Sequence, residues 1–435
     1  MKAARLGGCV TDRSVGTIRR LRPRDRRALA LVILAGAIAS ASPAAAHGER
    51  NQEPFLRMRT AHWYDVTWST DHVKVNEEIE IRGRLHVFSD WPKHLFELKT
   101  VYLNLGTNGP VFVKVATYLD DTPMMQSTHL EYGKEYEFRI VAKARRPGHH
   151  HVHPMLNVSG AGPLLGPGKW IDVTGDGADF VYPLKTLDGI AIPNLETWQL
   201  GHIFRVHAYW LVLAFAWLGW WFRGGPGLLS RFRTLESGRE EALFNNADRI
   251  AAAALVVIAL FSVAYGMIST NAKYPRTSAL QGGRVRVFPL PDPPEQVVVR
   301  HQKGVYQVPG RSLQLTLKVT NDTAAPVRLG EFTAANLRFV NRSVPAAVAG
   351  VPSGYPQDLL ARSGLVVTPD EPIPPGETRV INVEAADAAW ETERLASLMG
   401  NPDSSYGALL FFFDAKGKRS VSEVSGPAVP VFTTL

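Results

Sequence analysis

The sequence predicts a mainly β protein, with two β-sandwich or small-barrel regions joined by two membrane-spanning helices and preceded by a cleaved signal peptide. Three observations predict this class. The first residues are basic, then apolar, then rich in alanine; two long apolar stretches interrupt the middle of the chain; and the flanking regions alternate apolar and polar residues between frequent turns. The predicted boundaries divide the chain into residues 1–46, 47–195, 196–222, 223–249, 250–272 and 273–435.

Residues 1–46 have the order of a secretory signal. Six arginines between Arg19 and Arg27 precede the apolar run LALVILAGAIA, and a run of small residues then ends at Ala46. The apolar run is short for a membrane span, which favours cleavage over the alternative of an uncleaved N-terminal anchor. Cleavage after Ala46 would make His47 the first residue of the mature protein.

Charge and cysteine content narrow the function classes once the leader is removed. The full chain has 48 basic and 40 acidic residues, a net charge of +8, but residues 1–46 hold nine of the basic and two of the acidic ones. The mature chain is therefore close to neutral, which gives no reason to expect a nucleic-acid partner. The only cysteine, Cys9, lies in the leader, so the mature chain would have no disulfide and no thiolate metal ligand.

Two apolar stretches, residues 200–222 and 250–272, are each 23 residues long, enough to span a bilayer. A buried core helix is the alternative interpretation of each. The connection over residues 223–249 contains five arginines and no lysine, so the positive-inside rule predicts that it is cytoplasmic. Both flanking regions would then lie on the periplasmic side, as the leader also predicts.

Both flanking regions are predicted to be β. The first contains the alternating segments KVNEEIEIRGRLHVF and KEYEFRIVAKARRPG, and the second contains RSLQLTLKVTND, PPGETRVINVEA and a hairpin-like GALLFFFDAKGKRSVSEV. Short strands with frequent turns are typical of sandwiches and small barrels. The exception is DAAWETERLASLMG, residues 387–400, whose periodicity predicts a helix that stops at a glycine.

Histidines mark the first β region as the candidate metal-binding region, because ten of the 13 fall between residues 47 and 153 and one follows the second apolar stretch. The densest cluster, RRPGHHHVHPMLNV, follows a Pro-Gly turn and predicts a strand. Side chains two apart on a strand share a face, so His149, His151 and His153 would lie together, with His150 opposite. A solvated polar edge with incidental histidines is the alternative.

A mature N-terminal His47 could bind one metal ion through both its imidazole and its α-amine, with two strand histidines completing the site. A ligand set of nitrogen atoms alone suits copper best among the available metals, and the amine must lose its proton to bind. The alternative for His47 is a disordered N-terminus.

Two other segments bear on the site. His62, in the aromatic segment RMRTAHWYDVTWS, is a candidate ligand for a second copper, a residue that hydrogen-bonds to a ligand, or a core histidine. GPLLGPGKW departs from a phosphate-binding loop, because Trp170 stands where Ser or Thr is required, and is interpreted as a rigid Gly/Pro loop.

The sequence resembles the B subunit of the copper membrane monooxygenases, the particulate methane and ammonia monooxygenases. The resemblance covers nearly the whole mature chain and depends on the order of many segments. These are HGERNQEPFLRMRT directly after the leader, WYDVTWS, ARRPG followed by HVH, GPLLGPGKW, KYP after the second apolar stretch, VPGRSLQL, RLGEFTAANLRF, DAAWE, NPDS and LLFFFDAKGKR.

The resemblance implies two cupredoxin-like domains and assembly with the A and C membrane subunits as a trimer of heterotrimers, in a bacterial inner or intracytoplasmic membrane. It implies a copper site at the mature N-terminal histidine and an H-x-H pair, which fall on His47, His151 and His153. His149 and His150 lie outside that motif, and His62 matches a position proposed in some relatives as a further copper ligand.

The reaction implied by the resemblance is hydroxylation of methane, ammonia or a related short hydrocarbon with O2, and no catalytic residue is assigned in this chain. Two alternatives remain. One is a membrane-tethered periplasmic copper-binding or delivery protein without oxidation chemistry; the other is a structural scaffold whose metal site is not essential. The second β region and the two helices exceed what a carrier needs, which favours the monooxygenase subunit.

Overall fold

The structure is a computed structural model of the 435-residue chain that describes residues 52–223, 227–276, 283–294, 296–308, 311–392, 394–400 and 404–432. The predicted signal peptide and His47 lie outside the described residues. Within the described part, two β sandwiches flank a helical segment. This confirms the predicted mainly β class with two long apolar helices between two β regions.

The first β sandwich follows a short helix, α1 (Pro54–Met58), and consists of two five-stranded sheets. One sheet has the order β1-β3-β7-β5-β6; in the other, β2-β10-β8-β4 run in order and β9 pairs with β8. The strands are β1 (Ala61–Trp68), β2 (His72–Lys74), β3 (Glu78–Val87), β4 (Val101–Gly106), β5 (Phe112–Leu119), β6 (Thr122–Pro123), β7 (Glu135–Ala144), β8 (Gly148–Val158), β9 (Gly162–Leu165) and β10 (Lys169–Thr174).

Apolar alternation builds the core of this sandwich. On β3, Ile79, Ile81, Gly83 and Leu85 are buried, while the alternate residues Glu80, Arg82 and Arg84 are exposed or partly exposed, as period-2 patterning requires. The three apolar side chains pack in one cluster with Leu156 of β8 and Ile171 of β10 in the facing sheet. The histidine-rich strand β8 lies between β10 and β4 in its sheet. One face of this sheet packs against the core.

The helical segment begins after a small two-stranded sheet formed by β11 (Leu184–Lys185) and β12 (Ala191–Ile192). Its helices are α2 (Leu200–Phe222), α3 (Gly227–Glu236) and α4 (Asn246–Lys273). Helices α2 and α4 have 23 and 28 residues, or about 34 and 42 Å at 1.5 Å per residue, against a hydrocarbon core of about 30 Å. Both are long and apolar enough to cross a membrane, and neither is a buried core helix, because their side chains are exposed.

Side chains join the two long helices at both ends. The Gln199 amide donates to the Tyr274 hydroxyl over 2.7 Å, so the start of α2 lies beside the end of α4. At the other end, Trp220 and Arg223 donate to the Asp248 carboxylate over 3.1 and 2.8 Å. The helices are thus antiparallel neighbours, and the chain enters and leaves the pair on the same side.

The second β sandwich also has two five-stranded sheets, in the orders β18-β19-β14-β13-β22 and β17-β16-β15-β20-β21. Its elements are β13 (Val297–Val308), β14 (Ser312–Asn321), β15 (Arg328–Ala334), β16 (Leu337–Val340), α5 (Pro345–Ala349), β17 (Leu360–Ala361), β18 (Leu365–Thr368), β19 (Thr378–Ala386), α6 (Ala389–Thr392), β20 (Ser405–Phe413), β21 (Arg419–Pro427) and β22 (Val429–Phe432). The predicted β20–β21 hairpin is present, with Gly417 at φ +83° in its turn.

The predicted helix over residues 387–400 is wrong as a single element. The chain forms α6, a residue with positive φ at Arg394 (φ +60°) and then a 3₁₀ turn over Leu395–Gly400. A left-handed residue cannot continue an α-helix. The apolar periodicity instead reflects burial, because Trp390, Leu395 and Leu398 all enter the core of the second β sandwich.

The two sandwiches contact one another through β1 and β3 on one side and β20 and β21 on the other. Arg419 donates to Asp65 over 2.7 Å, and Glu423 accepts from His86 over 2.6 Å. The ring of Tyr64 packs edge-on against Phe411 at 5.4 Å. The interface therefore combines the Arg419–Asp65 ion pair and the His86–Glu423 hydrogen bond with aromatic packing.

Candidate metal centre

Strand β8 places its histidines as the spacing predicts. It pairs antiparallel with β10 on one side and with β4 on the other, with His151 opposite Trp170 and His153 opposite Gly106. The rings of His151 and His153 are neighbours, with centroids 4.4 Å apart and planes at 88°. His150 lies on the other face, where its ring meets Phe112 at 6.3 Å.

The His151 and His153 side chains are buried, each only 4 % exposed. His153 Nδ1 lies 3.0 Å from the carbonyl oxygen of Gly166. Because a carbonyl only accepts, Nδ1 must carry the hydrogen, and the lone pair of the neutral ring is then on Nε2. Metal-binding histidines usually have this arrangement, with the second ring nitrogen donating to a backbone oxygen or carboxylate.

The loop from Gly166 to Gly168 packs directly on the histidine pair. A Cβ on Gly168 would lie 2.6 Å from His151 Cε1 and closer still to His153 Cε1, so no side chain fits there. A Cβ on Gly166 would lie 2.8 Å from Pro154 Cγ and from Trp63 Cγ. The predicted loop GPLLGPGKW is only partly a loop, because Gly162–Leu165 form β9 and β10 begins at Lys169. Its central residues 166–168 cover the histidine pair, a role that the sequence pattern alone does not reveal.

His149 is separated from the buried pair by Trp170. The His149 ring stacks on the Trp170 indole with centroids 4.4 Å apart and planes at 2°, and the same indole meets His151 at 4.7 Å. His149 is exposed, and its Nδ1 lies 2.5 Å from the Asp172 carboxylate. The structure thus groups His151 with His153 and leaves His149 at the surface.

His47 lies outside the described residues, but the chain five residues later lies beside the site. The Leu165 backbone N–H donates to Gln52 Oε1 over 3.1 Å, and the Gln52 amide also donates to the Pro163 carbonyl. Leu165 directly precedes Gly166, the partner of His153. Five residues span at most about 18 Å, so His47 lies no further than that from Gln52, which itself contacts the residue before the histidine loop.

His62 lies elsewhere, on β1, where it is opposite His86 of β3. Its Nε2 donates to the Met58 carbonyl over 2.5 Å, and its ring packs on Phe88 at 4.6 Å. Burial lowers the pKa of His62 to about 4, so the ring is neutral at neutral pH. These contacts are those of a core histidine, and they leave Nδ1 as the nitrogen that a metal could use.

The spacing of the histidine pair is compatible with two ligands of one ion. Two imidazoles bound through bonds of about 2 Å have centroids about 4.5 Å apart when the bonds are at right angles and about 6 Å apart when they are opposite. The His151–His153 centroid distance of 4.4 Å lies at the narrow end of this range. Among the described residues, no group of three or more His, Cys, Asp or Glu could hold a metal. The pair therefore fits a copper site only if a further ligand comes from outside those residues.

Comparison with known proteins gives a consistent result over nearly the whole chain. Residues 48–432 match the family model that describes the monooxygenase B-subunit protein. The chain is 43 % identical over 407 residues to the particulate methane monooxygenase alpha subunit of Methylococcus capsulatus, covering 93 % of this chain and 97 % of that relative.

Similarity to solved structures is weaker. The cupredoxin domain of amoB from Nitrosocaldus yellowstonii is 20 % identical, covers 28 % of this chain and 91 % of its own, and has a TM-score of 0.23. The adhesin InvE of Yersinia pseudotuberculosis is 7 % identical over 83 % of this chain and 57 % of its own, with a TM-score of 0.14. Scores this low do not establish a shared overall fold.

Proposed function

The chain belongs to the monooxygenase B-subunit family, and from this membership we propose that it is the copper-binding subunit of a membrane-bound monooxygenase that hydroxylates methane, ammonia or a related short hydrocarbon with O2. It is one subunit of a membrane-associated monooxygenase complex. In this proposal its partners are the A and C membrane subunits in a trimer of heterotrimers, and its two β sandwiches are cupredoxin-like domains. No catalytic residue is assigned to this chain.

The proposed copper ligands are His47, His151 and His153. One observation supports this choice most: the rings of His151 and His153 are neighbours, with centroids 4.4 Å apart, in a buried position directly under a glycine loop. The third histidine precedes Gln52 by five residues, and Gln52 is hydrogen-bonded to Leu165 at the start of the same loop. Nitrogen donors without thiolates suit copper.

The residues of this chain would perform three tasks at such a site. The Gly166 carbonyl holds the hydrogen of His153 on Nδ1 and so directs Nε2 toward the ion. Burial of the two imidazoles excludes bulk water and strengthens electrostatic interactions there. The α-amine of His47, with an ordinary pKa of about 8, would release its proton on binding. Copper itself supplies one-electron redox chemistry.

The antiparallel helix pair supports the proposed orientation. Because the Gln199–Tyr274 contact brings the start of α2 beside the end of α4, both sandwiches would lie on one side of a membrane crossed by the two helices. The arginine-rich connection would lie on the other side. A leader that directs export would place the sandwiches in the periplasm. That compartment is oxidising, and a mature chain without cysteine forms no disulfides there.

The first prediction concerns the mature N-terminus. Intact mass and N-terminal sequencing of the membrane-extracted native chain are expected to show His47 as the first residue, with copper bound. A matched chain carrying one extra glycine before His47 keeps the imidazole but moves the free amine away. We expect that chain to bind copper at least about 10-fold more weakly, as loss of one supporting interaction usually costs about 10- to 100-fold. Equal copper affinity of the two chains would remove the amine from the ligand set.

The second prediction concerns His62, which we propose as a ligand of a second copper. In His62→Gln the amide can still donate to Met58 O, but no ring nitrogen remains for a metal. We expect copper content to fall by one ion per chain while the spectrum of the His151–His153 site is unchanged. His94→Gln, at an exposed histidine, is the control. Unchanged copper content in His62→Gln would make His62 a core histidine only.

A further inference from the structure

The backbone of Leu165, the last residue of β9, is hydrogen-bonded to side chains from two distant parts of the chain. Its backbone N–H donates to Gln52 Oε1 over 3.1 Å, and its carbonyl accepts from Asn336 Nδ2 over 3.1 Å. The next residue, Gly166, accepts from His153. Both backbone polar groups of Leu165 are thus hydrogen-bonded by residues outside the β8–β9 pair. Gln52 bonds the N–H, and Asn336 of the second β sandwich bonds the carbonyl.

Asn336 is presented by a rigid turn. Ala334 pairs with Leu337, so Ala335 and Asn336 form the two-residue turn of the β15–β16 hairpin, with φ of +50° and +67°. Positive φ at both residues is the geometry that suits a tight hairpin, and asparagine adopts it readily. Asn336 is only 5 % exposed. This hairpin tip is therefore a fixed part of the second β sandwich that reaches the histidine loop.

The same hairpin tip holds the N-terminal segment. Arg57, itself 2 % exposed, donates to Ala335 O over 3.4 Å and to Gln52 O over 3.3 Å. Glu53 pairs with Arg394 at 3.0 Å. Met58 is fully buried in the core cluster of the second β sandwich. Residues 52–58 therefore contact the second β sandwich as well as the first, where Leu56 packs on the core and Gln52 is hydrogen-bonded to Leu165.

We propose that the second β sandwich, which carries a single histidine, positions the copper ligands through the hairpin tip Ala335–Asn336. This inference rests on the proposed copper site. The tip holds Leu165 next to the Gly166 carbonyl that accepts from His153, and through Arg57 it also holds Gln52, the first described residue after His47. The strand pair and the mature N-terminus supply ligands from separate segments, so their affinity for one ion depends on a common support. Asn336 is a positioning residue and not a ligand.

The test uses Asn336→Asp in the full mature chain within its membrane complex. Aspartate tolerates the left-handed turn, but it replaces the amide donor with an acceptor facing the Leu165 carbonyl. Asn336→Gly removes the side chain without adding charge and keeps the turn accessible. We expect both variants to bind Cu(II) at least about 10-fold more weakly, with altered Cu(II) electron paramagnetic resonance parameters. The copper-free melting temperature of Asn336→Gly, which adds no buried charge, should stay close to wild type.

Asn76→Asp is the matched control. Asn76 also has positive φ, at +78°, and its amide donates to a distant carbonyl, Asp179 O, over 2.8 Å, but within the described residues it contacts neither the histidine loop nor the N-terminal segment. We expect its copper affinity to equal wild type. Wild-type affinity and spectra in both Asn336 variants, or equal losses in Asn336→Asp and Asn76→Asp, would overturn the positioning role.

A reference variant separates this inference from the proposed function. His151→Gln with His153→Gln removes the proposed strand ligands directly. If that double variant binds copper as tightly as wild type, the proposed site itself is wrong, whatever Asn336 does. If it loses copper while the Asn336 variants behave as wild type, the site stands and only the positioning by the second β sandwich fails.

Discussion

The double variant His151→Gln with His153→Gln is expected to lose the copper of this chain. Glutamine approximates the size of histidine and remains polar, so the buried site stays filled, but the two imidazole donors are gone. Loss of a supporting residue alone costs about 10- to 100-fold in metal affinity, so removal of two direct ligands should cost at least about 100-fold. Copper per chain, measured after dialysis against a competing chelator, gives the result.

The same strand supplies the control for this prediction. His149→Gln with His150→Gln changes two neighbouring histidines that contact Trp170, Asp172 and Phe112 but do not belong to the buried pair. Its copper content should equal wild type. Equal copper loss in the two double variants would show that the strand as a whole, and not the buried pair, determines binding.

Oxidation of substrate by membranes carrying the His151/His153 variant then separates the function classes. If the complex needs this copper site, substrate oxidation should be lost together with the copper. Full oxidation in copper-depleted membranes would favour a scaffold. Copper binding by wild type without any associated membrane proteins would favour a copper carrier.

Local patterns in the sequence were sufficient to predict the ligand strand. The Pro-Gly turn before the histidine cluster predicted β8, and the period of 2 placed His149, His151 and His153 on one face and His150 on the other. The ring contacts of His151, His153 and His150 agree with this placement. Hydropathy and length likewise predicted the long helices, although α4 begins at Asn246, four residues before the apolar stretch, because Asn245 forms a capping box with Asp248.

Contacts between distant segments could not be predicted in the same way. The sequence GPLLGPGKW indicates a rigid loop, but its packing on the histidines depends on the return of β10 beside β8. Asn336 is 171 residues from Leu165, and nothing in the segment RLGEFTAANLRF indicates which residue Asn336 hydrogen-bonds. The failed helix over residues 387–400 has a related cause, because the burial of Trp390 and the left-handed Arg394 depend on the surrounding core.

Gly168→Ala is the smallest substitution expected to disrupt the metal centre. The backbone of Gly168 does not have positive φ, so alanine brings no conformational strain of its own. The effect of the substitution comes from steric overlap alone. The new methyl group would overlap His153 and lie 2.6 Å from His151 Cε1. Either the loop moves away, breaking the Gly166–His153 hydrogen bond, or the rings turn apart. Overpacking of this kind typically costs about 1–3 kcal/mol.

Both responses change the relation between the two imidazoles, so the copper affinity of Gly168→Ala should fall at least about 10-fold, the usual effect of losing a residue that supports a metal ligand. The Cu(II) spectrum should shift even where some copper remains. Gly400→Ala is the matched control, since Gly400 also lacks positive φ and its Cβ would meet no atom of the described residues within 4 Å. Its copper affinity should equal wild type. Wild-type binding and spectra in Gly168→Ala would mean that the pair tolerates a displaced loop, and the covering loop would then have no part in setting the ligand geometry.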